Sequence, residues 1–199
     1  MRAAATPKGT RRRARLIAAA GELFLEGGFD AVRHRAVADR AQLPLASTTY
    51  YFASLEDLVA EAVASACAND CDAIIERGRG LTRRRRGAEA TAEVLADVFI
   101  GEDTSRERLT CRFESVVLSA RVPRLQQVLI DHRNTLRNTH FEVLEKSGRS
   151  TDPSGIEQLM AVEDGVVIGA LADSVEDVVK VTRTALSEVI DQLAPVVAV

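Results

Sequence analysis

The chain has 199 residues, of which 46% are apolar and 28% charged, and this composition excludes a disordered chain. Aromatic residues make up only 4% and Trp is absent, whereas Ala, Leu, Val, Glu and Arg predominate, which predicts an all-α fold. No segment approaches the roughly 18 to 20 consecutive apolar residues of a membrane span, and no signal-peptide core follows the basic N-terminus. We therefore expect a cytoplasmic protein.

The net charge of −3 is unevenly distributed along the chain. Residues 1–54 contain nine basic and four acidic side chains, a net charge of +5, and the remainder carries −8. A basic segment joined to an acidic one indicates that only the first meets a polyanion. The alternative is that the run Arg11 to Arg13 is merely a disordered basic tail.

Three short helices are predicted in the basic segment, after a basic, disordered arm at residues 1–9. The first, about 10–26, has an apolar stripe that includes Leu16 and Phe24 and ends at Gly27. The second covers about 33–41. The third runs from Pro44 or the next residue to Phe52, since proline fits the first turn of a helix. Residues 10–54 are therefore predicted to form a helix-turn-helix DNA-binding domain.

The third helix has the pattern of a recognition helix. If Thr48 and Phe52 pack inward, Ala46, Ser47 and Tyr50 project outward, where small side chains allow close approach to base edges. Arg35 is a candidate for bidentate contact with guanine. The alternative is that these are solvated polar residues on a small helical bundle. The candidate DNA-binding residues are Arg33, His34, Arg35, Leu45, Ala46, Ser47, Thr49, Tyr50 and Tyr51.

Four segments of this region, with the sequences IAAAGELF (17–24), EGGFD (26–30), AVADRA (36–41) and STTYYFASLEDL (47–58), resemble the tetracycline-repressor (TetR) family of bacterial regulators. The resemblance implies a DNA-binding head, a ligand-binding and dimerisation body over 55–199, and a fourth helix that transmits ligand binding. The chain departs from the family pattern at Gln42, where Gly is usual, and at Thr49, Tyr51 and Leu55, where Tyr, His and Lys are usual. Tyr50 or Tyr51 is then expected to take over a phosphate contact.

The body is predicted to be helical throughout, giving about nine helices in all. Ser54 and Asp57 form a capping signature for a fourth helix that extends to about Arg77. Further helices are expected at about 88–100, 105–120 and 123–146, followed by two strongly apolar ones, of which the second is preceded by a capping signature at Ser174 and Asp177. The loop 78–87, with four consecutive arginines, is interpreted as solvated, with a second DNA or membrane contact as the alternative.

Two histidines share an apolar stripe of the seventh helix and could bind an effector in a pocket, although such histidines are more often simply hydrogen-bonded or half-exposed. Their spacing of two turns is too long for one metal ion, and we expect no cofactor. Cys67 and Cys71 lie one turn apart, which allows a redox switch, but cysteine on an apolar stripe more often only packs. The candidate ligand-binding residues are Cys67, Phe99, Phe113, Glu114, His132, Leu136 and His140.

The two C-terminal helices are apolar enough to suit a dimer interface, although both stripes could instead be used inside the monomer. The candidate interface residues are Ile156, Leu159, Met160, Val166, Val167, Val178, Thr182, Leu186 and Val189. We therefore expect a homodimeric, ligand-responsive transcriptional regulator, most simply a repressor that a small-molecule effector releases from a near-palindromic operator. The rivals are a helical enzyme or small-molecule carrier with an incidental basic N-terminus, and a thiol-based redox regulator. No catalytic constellation can be assembled.

Overall fold

The computed structural model describes residues 6–197, and over that range the expected all-α fold is confirmed. The helices there are α1 (Pro7–Ala31), α2 (His34–Arg40), α3 (Leu45–Tyr51), α4 (Leu55–Gly80), α5 (Ala88–Phe99), α6 (Arg106–Ser119), α7 (Pro123–Lys146), α8 (Pro153–Ala172) and α9 (Val178–Leu193). They divide into two compact units: unit 1 contains residues 6–69 and 110–129, and unit 2 contains residues 70–109 and 130–197. Across residues 6–197, no helix combines the length and apolarity that crossing a membrane requires.

Helix α1 begins earlier than its apolar stripe predicts. The side chain of Thr6 accepts a hydrogen bond from the backbone N–H of Gly9, and Pro7 occupies the first turn. Residues 7–9 of the expected disordered arm are therefore helical, whereas residues 1–5 lie outside the described range. The predicted end of the helix corresponds to a kink, since Gly27 and Gly28 have non-helical backbone angles and one more turn follows, to Ala31.

Unit 1 is built around the predicted stripe of α1. Leu16 and Phe24 are completely or almost completely buried and share one apolar cluster with Val37 of α2, Phe52 after α3 and Leu58 of α4. Helix α4 starts as predicted, because the Ser54 hydroxyl accepts a hydrogen bond from the backbone N–H of Asp57. The short helices α2 and α3 are thus held in place by the longer helices beneath them.

Unit 2 has its own apolar core, in which α9 packs against both α5 and α8. The start of α9 differs from the prediction. Ser174 has a φ of +56° and lies before the helix, and it is the Asp177 side chain that caps α9 by accepting a hydrogen bond from the Lys180 N–H. The predicted capping signature at Ser174 and Asp177 was therefore wrong in its spacing, because Ser174 stands three residues outside the N-cap position.

The arginine-rich loop before α5 is only partly solvated. Arg83, Arg84 and Arg85 are exposed as expected, but Arg86 is 5% exposed. Its guanidinium donates hydrogen bonds to the carbonyl oxygens of Thr82 and Lys146, at 3.0 and 3.3 Å. These hydrogen bonds connect the loop to the end of α7 and offset part of the cost of burying the guanidinium.

Candidate nucleic-acid interface and buried polar cluster

A tight turn between α2 and α3 sets the orientation of α3. Gln42 adopts a left-handed conformation with a φ of +52°. This is the position where the tetracycline-repressor family, which this region resembles, usually has Gly. The backbone N–H of Leu43 then donates to the Ala38 carbonyl at 2.9 Å, and Pro44, with extended backbone angles, precedes the first residue of α3. The left-handed residue reverses the chain direction, which explains why a residue without Cβ is favoured there.

The outer face of α3 has the predicted arrangement. Thr48 and Phe52 are 0% and 4% exposed and face the core of unit 1, and the Thr48 hydroxyl donates to the Leu45 carbonyl at 2.8 Å. The side chains on the other face are small, hydroxyl-bearing or aromatic, and they are exposed except for the half-buried Ser47: Leu45, Ala46, Ser47, Thr49 and Tyr50. This face carries no charged side chain, so it must recognise a partner through its shape, its hydroxyl groups and apolar contacts.

The two tyrosines of α3 have different surroundings. Their rings meet edge to face, with centroids 5.0 Å apart. Tyr51 is half-buried against the core of unit 1, and its hydroxyl lies beside Gly9 in the first turn of α1. Tyr50 is 81% exposed. Of the two, Tyr50 is therefore the side chain that can reach an external partner without disturbing the fold.

The three candidate DNA-binding residues at the start of α2 also differ in their surroundings. Arg33 is held by its own chain, since its guanidinium donates to the Phe29 and Val32 carbonyls and pairs with Asp30 at 2.8 Å. His34 is half-buried and its Nδ1 has no hydrogen-bond partner. Arg35 is exposed on the first turn of α2. The predicted contact of Arg33 with DNA must therefore compete with these internal contacts.

Several other basic residues of the head are likewise engaged within unit 1. Arg13 pairs with Glu61 at 2.6 Å and lies over the Phe52 ring. Arg40 pairs with Glu26 at 2.6 Å, and this hydrogen bond lowers the pKa of the Glu26 carboxyl and raises that of the guanidinium. The positive charge counted in the sequence is thus partly neutralised by folding, whereas Arg11 and Arg12 remain exposed near the start of α1.

Unit 2 contains a buried polar cluster around His140, which is 1% exposed. Its Nδ1 donates to the Leu136 carbonyl at 2.8 Å, and its Nε2 lies 3.2 Å from Glu163 Oε2. The Phe99 ring stacks on the imidazole with centroids 3.6 Å apart and an interplanar angle of 16°. Of these residues the sequence pattern missed only Glu163, although a carboxylate on the apolar stripe of α8 was a signal that could have revealed it.

A second acid and imidazole pair lies two turns earlier on α7. His132 is 8% exposed, and its Nε2 is 2.9 Å from Asp70 Oδ2. Both predicted histidines are therefore hydrogen-bonded to carboxyl groups. Phe99, His132, Leu136 and His140 all belong to unit 2.

The other predicted ligand-binding residues, Cys67, Phe113 and Glu114, belong to unit 1. Glu114 is half-buried against the backbone of Gly28, and its Oε2 has no hydrogen-bond partner. Cys67 is 7% exposed within the apolar cluster, which favours the packing role considered for it. Over residues 6–197, no three His, Cys, Asp or Glu side chains converge in a way that could hold a metal ion.

Unit 1 also contains an apolar cleft of about 250 Å³ beside the start of α4. Its walls include Phe29, Leu55, Val59, Leu118 and Leu125, and Arg33 and Glu56 stand among them. Leu55 occupies the position where the tetracycline-repressor family usually has Lys. An apolar side chain thus lines the cleft at a position where that family has a positive charge.

The apolar stripes of α8 and α9 are mostly used inside the chain itself. Seven of the predicted interface residues are at most 6% exposed in the single subunit: Ile156, Leu159, Met160, Val167, Val178, Thr182 and Leu186. Of the predicted set, Val166 and Val189 are half-buried. These seven residues are therefore already covered within the single subunit, which is the alternative considered from the sequence.

Helix α8 nevertheless keeps a second apolar face. This outward face carries no charged side chain from residue 158 to residue 172 and consists of Gln158, Ala161, Gly165, Ile168 and Ala172. Ile168 is 49% exposed, and a Cβ added at Gly165 would meet nothing within 4 Å. Helix α8 therefore has apolar side chains both in the core of unit 2 and on its exposed side.

A three-helix head with an exposed third helix, followed by a helical body, defines the class of helix-turn-helix DNA-binding regulators. Residues 16–62 match the family model of bacterial regulatory proteins of the tetR family, and residues 86–192 match the model of the tetracyclin repressor-like C-terminal domain. The second match alone covers more than half of the chain. The protein therefore belongs to the tetR family and is a DNA-binding transcriptional regulator rather than an enzyme.

Solved structures show the same fold. The multidrug binding protein EbrR complexed with proflavin is 27% identical with a TM-score of 0.67, over 89% of this chain and 98% of that one. A putative transcriptional regulator from Streptomyces coelicolor A3(2) is 26% identical with a TM-score of 0.57, over 86% and 98%. One from Saccharomonospora viridis in complex with choline has a TM-score of 0.72 at 17% identity, over 93% and 98%. No curated protein matches the chain significantly.

Proposed function

We propose that this regulator is a cytoplasmic homodimeric repressor that leaves a near-palindromic operator when a small-molecule effector binds. The observation that carries the proposal is the outer face of α3, where exposed or half-buried small and hydroxyl side chains surround the exposed Tyr50. Residues 10–54 would bind DNA, and residues 55–199 would bind the effector and the second subunit.

The contacts with DNA follow from the exposure of each side chain. Ala46 and Ser47 would approach base edges, Ala46 against a thymine methyl and Ser47 as donor or acceptor. Tyr50 would reach a phosphate, since Tyr51 is packed against unit 1. Arg35 would read a guanine with two parallel hydrogen bonds. Leu45 and Thr49 would flank these contacts, and His34 would lie near the backbone.

The uncharged face of α8 supports a symmetric dimer. A stripe of Ala and Gly allows two copies of the helix to approach closely, and Ile168 would be covered by the partner. Among the interface residues predicted from sequence, Val166 and Val189 are exposed enough to contribute at the edge. Binding to a near-palindromic operator would require the two α3 helices of the dimer to lie roughly 34 to 36 Å apart or a little more, the spacing of successive major grooves.

The resemblance to a multidrug binding protein supports a small-molecule effector. EbrR is similar to this chain over most of its length and is complexed with proflavin in one structure and ethidium in another. An effector would weaken DNA binding if it binds one conformation of the dimer better than the conformation that fits the operator. The weakening cannot exceed the difference between its binding free energies for the two conformations, on the order of 1 to 3 kcal/mol.

The test is an electrophoretic mobility-shift titration with DNA fragments from upstream of the protein's own gene. We expect one fragment to be retarded. The logarithm of its binding constant should fall steeply and linearly with the logarithm of the salt concentration, because Arg side chains release counterions from phosphates. Tyr50→Phe should weaken binding, whereas Tyr51→Phe, the matched control, should not. Failure to retard any upstream fragment at low salt would contradict the proposal.

A further inference from the structure

The apolar cleft of unit 1 has walls from three separate parts of the chain. Phe29 lies in the last turn of α1, after the kink, and Leu55 and Val59 belong to the first two turns of α4. The corner between α6 and α7 forms the third wall, with Leu118 and Leu125. All of the lining residues belong to unit 1, and none of them is among the candidate ligand-binding residues named from the sequence.

Contacts outside the cleft hold these walls in place. The Phe29 ring packs against the Phe24 ring, with centroids 5.1 Å apart. Arg124 on α7 donates a hydrogen bond to the carboxylate of Asp57 on α4, which fixes the start of α7 to a neighbouring face of α4. In the corner, the Leu118 carbonyl accepts hydrogen bonds from two backbone N–H groups, at 2.8 and 2.9 Å. Because each wall has such an anchor, closing the cleft would cost some of these contacts.

The side chains of the walls favour an uncharged, mainly apolar ligand. Seven of the nine lining side chains are hydrocarbon, and the other two, Arg33 and Glu56, have opposite charges. A ligand charge of either sign would therefore meet one like charge. Arg33 is moreover engaged by Asp30 and by two backbone carbonyls. Water finds few partners on such walls, so its replacement by apolar surface is favourable.

The volume of the cleft sets the size of the ligand. An apolar cavity of about 150 Å³ holds benzene. The cleft has about 250 Å³, so it has room for a molecule of about two fused rings.

We propose that this cleft is a binding site for an uncharged small molecule with a hydrocarbon body of about two rings. The molecule buries its surface against Phe29, Leu55 and Val59 on one side and against the corner between α6 and α7 on the other. Leu55 contributes to this site because the Lys that is usual at its position would bring a charge into the wall. The site goes beyond the function proposed above, which does not use this cleft.

The experiment is a fluorescence titration of the full-length protein with 1-aminonaphthalene, a two-ring probe that is uncharged at neutral pH. Val59→Phe places a larger side chain in the cleft and should raise the Kd about tenfold or more. The matched control is Val117→Phe on α6, where the side chain is 59% exposed and does not line the cleft. Its Kd should stay within about twofold of wild type. Leu55→Lys puts a charge into the wall and should also raise the Kd about tenfold or more.

Two further titrations test the ligand class. Unlabelled naphthalene should displace the probe, because both share the uncharged ring system. Naphthalene-1-sulfonate and 1-naphthylmethylammonium, which carry the same rings with a negative and a positive charge, should each bind about tenfold or more weakly than the probe.

Four results would overturn the proposal: no binding of the probe by wild type, an unchanged Kd in the folded cleft variants, an equal loss in Val117→Phe, or a charged derivative that binds as tightly as the probe. Far-UV circular dichroism checks that each variant folds, and if Val59→Phe does not, Leu55→Lys decides. The titrations contain no DNA, so their outcome does not depend on the repressor hypothesis.

Discussion

Gly28 offers a sharp test of how the kink in α1 is built. Its φ of +63° and ψ of −155° lie in a region that is essentially restricted to glycine. A Cβ placed there would also lie 2.5 Å from Glu114 Oε2. Gly28→Ala therefore combines a backbone penalty with a steric one, and the two can be separated experimentally.

We expect the backbone penalty to dominate. Holding a residue with Cβ in this region costs about 1 to 3 kcal/mol. The steric penalty should be smaller, because the carboxyl group of Glu114 is the end of a flexible side chain and can rotate away from Gly28. Gly28→Ala should thus lower the free energy of unfolding by about 1 to 3 kcal/mol. Adding Glu114→Ala should restore less than about 0.5 kcal/mol of that loss.

The assay is urea denaturation followed by far-UV circular dichroism at one fixed protein concentration, since the proposed dimerisation would make stability depend on concentration. Gly80→Ala, where an added Cβ meets nothing within 4 Å, is the matched control and should change stability by less than about 0.5 kcal/mol. If Gly28→Ala is as stable as wild type, or if Glu114→Ala rescues it fully, the assignment of the cost to the backbone is wrong.

Other predictions concern the head and the dimer surface. Arg35→Ala should cost about 1 to 3 kcal/mol on operator DNA and relax discrimination at one base pair, whereas Arg12→Ala should weaken binding to all sequences alike; equal losses on specific and random DNA for Arg35→Ala would count against its role. Gln42→Gly should raise the melting temperature slightly, because relief of about 1 to 2 kcal/mol of left-handed strain exceeds the added flexibility of glycine, and a lower melting temperature would contradict this. Gly165→Leu should shift the mass in sedimentation equilibrium towards one chain while helicity is kept, and an unchanged dimer would exclude this face of α8.

Features that depend on neighbouring residues in the chain were predictable from the sequence. The stripe containing Leu16 and Phe24, the Ser54 cap of α4 and the inward positions of Thr48 and Phe52 all follow from helical periodicity and local hydrogen bonding. The departure at Gln42 was also visible in the sequence, although its left-handed backbone was not.

Contacts between distant residues were decided only by the tertiary structure. The internal contacts of Arg13 and Arg40 reduce the charge available to DNA, and the pairing of His140 with Glu163 joins residues 23 positions apart. The face of α8 that a second subunit would cover is undetermined by the sequence for a related reason. Helix α8 carries apolar residues on more than one face, so periodicity cannot tell which of these faces packs against α9 and which remains open. The packing of neighbouring helices alone makes that choice.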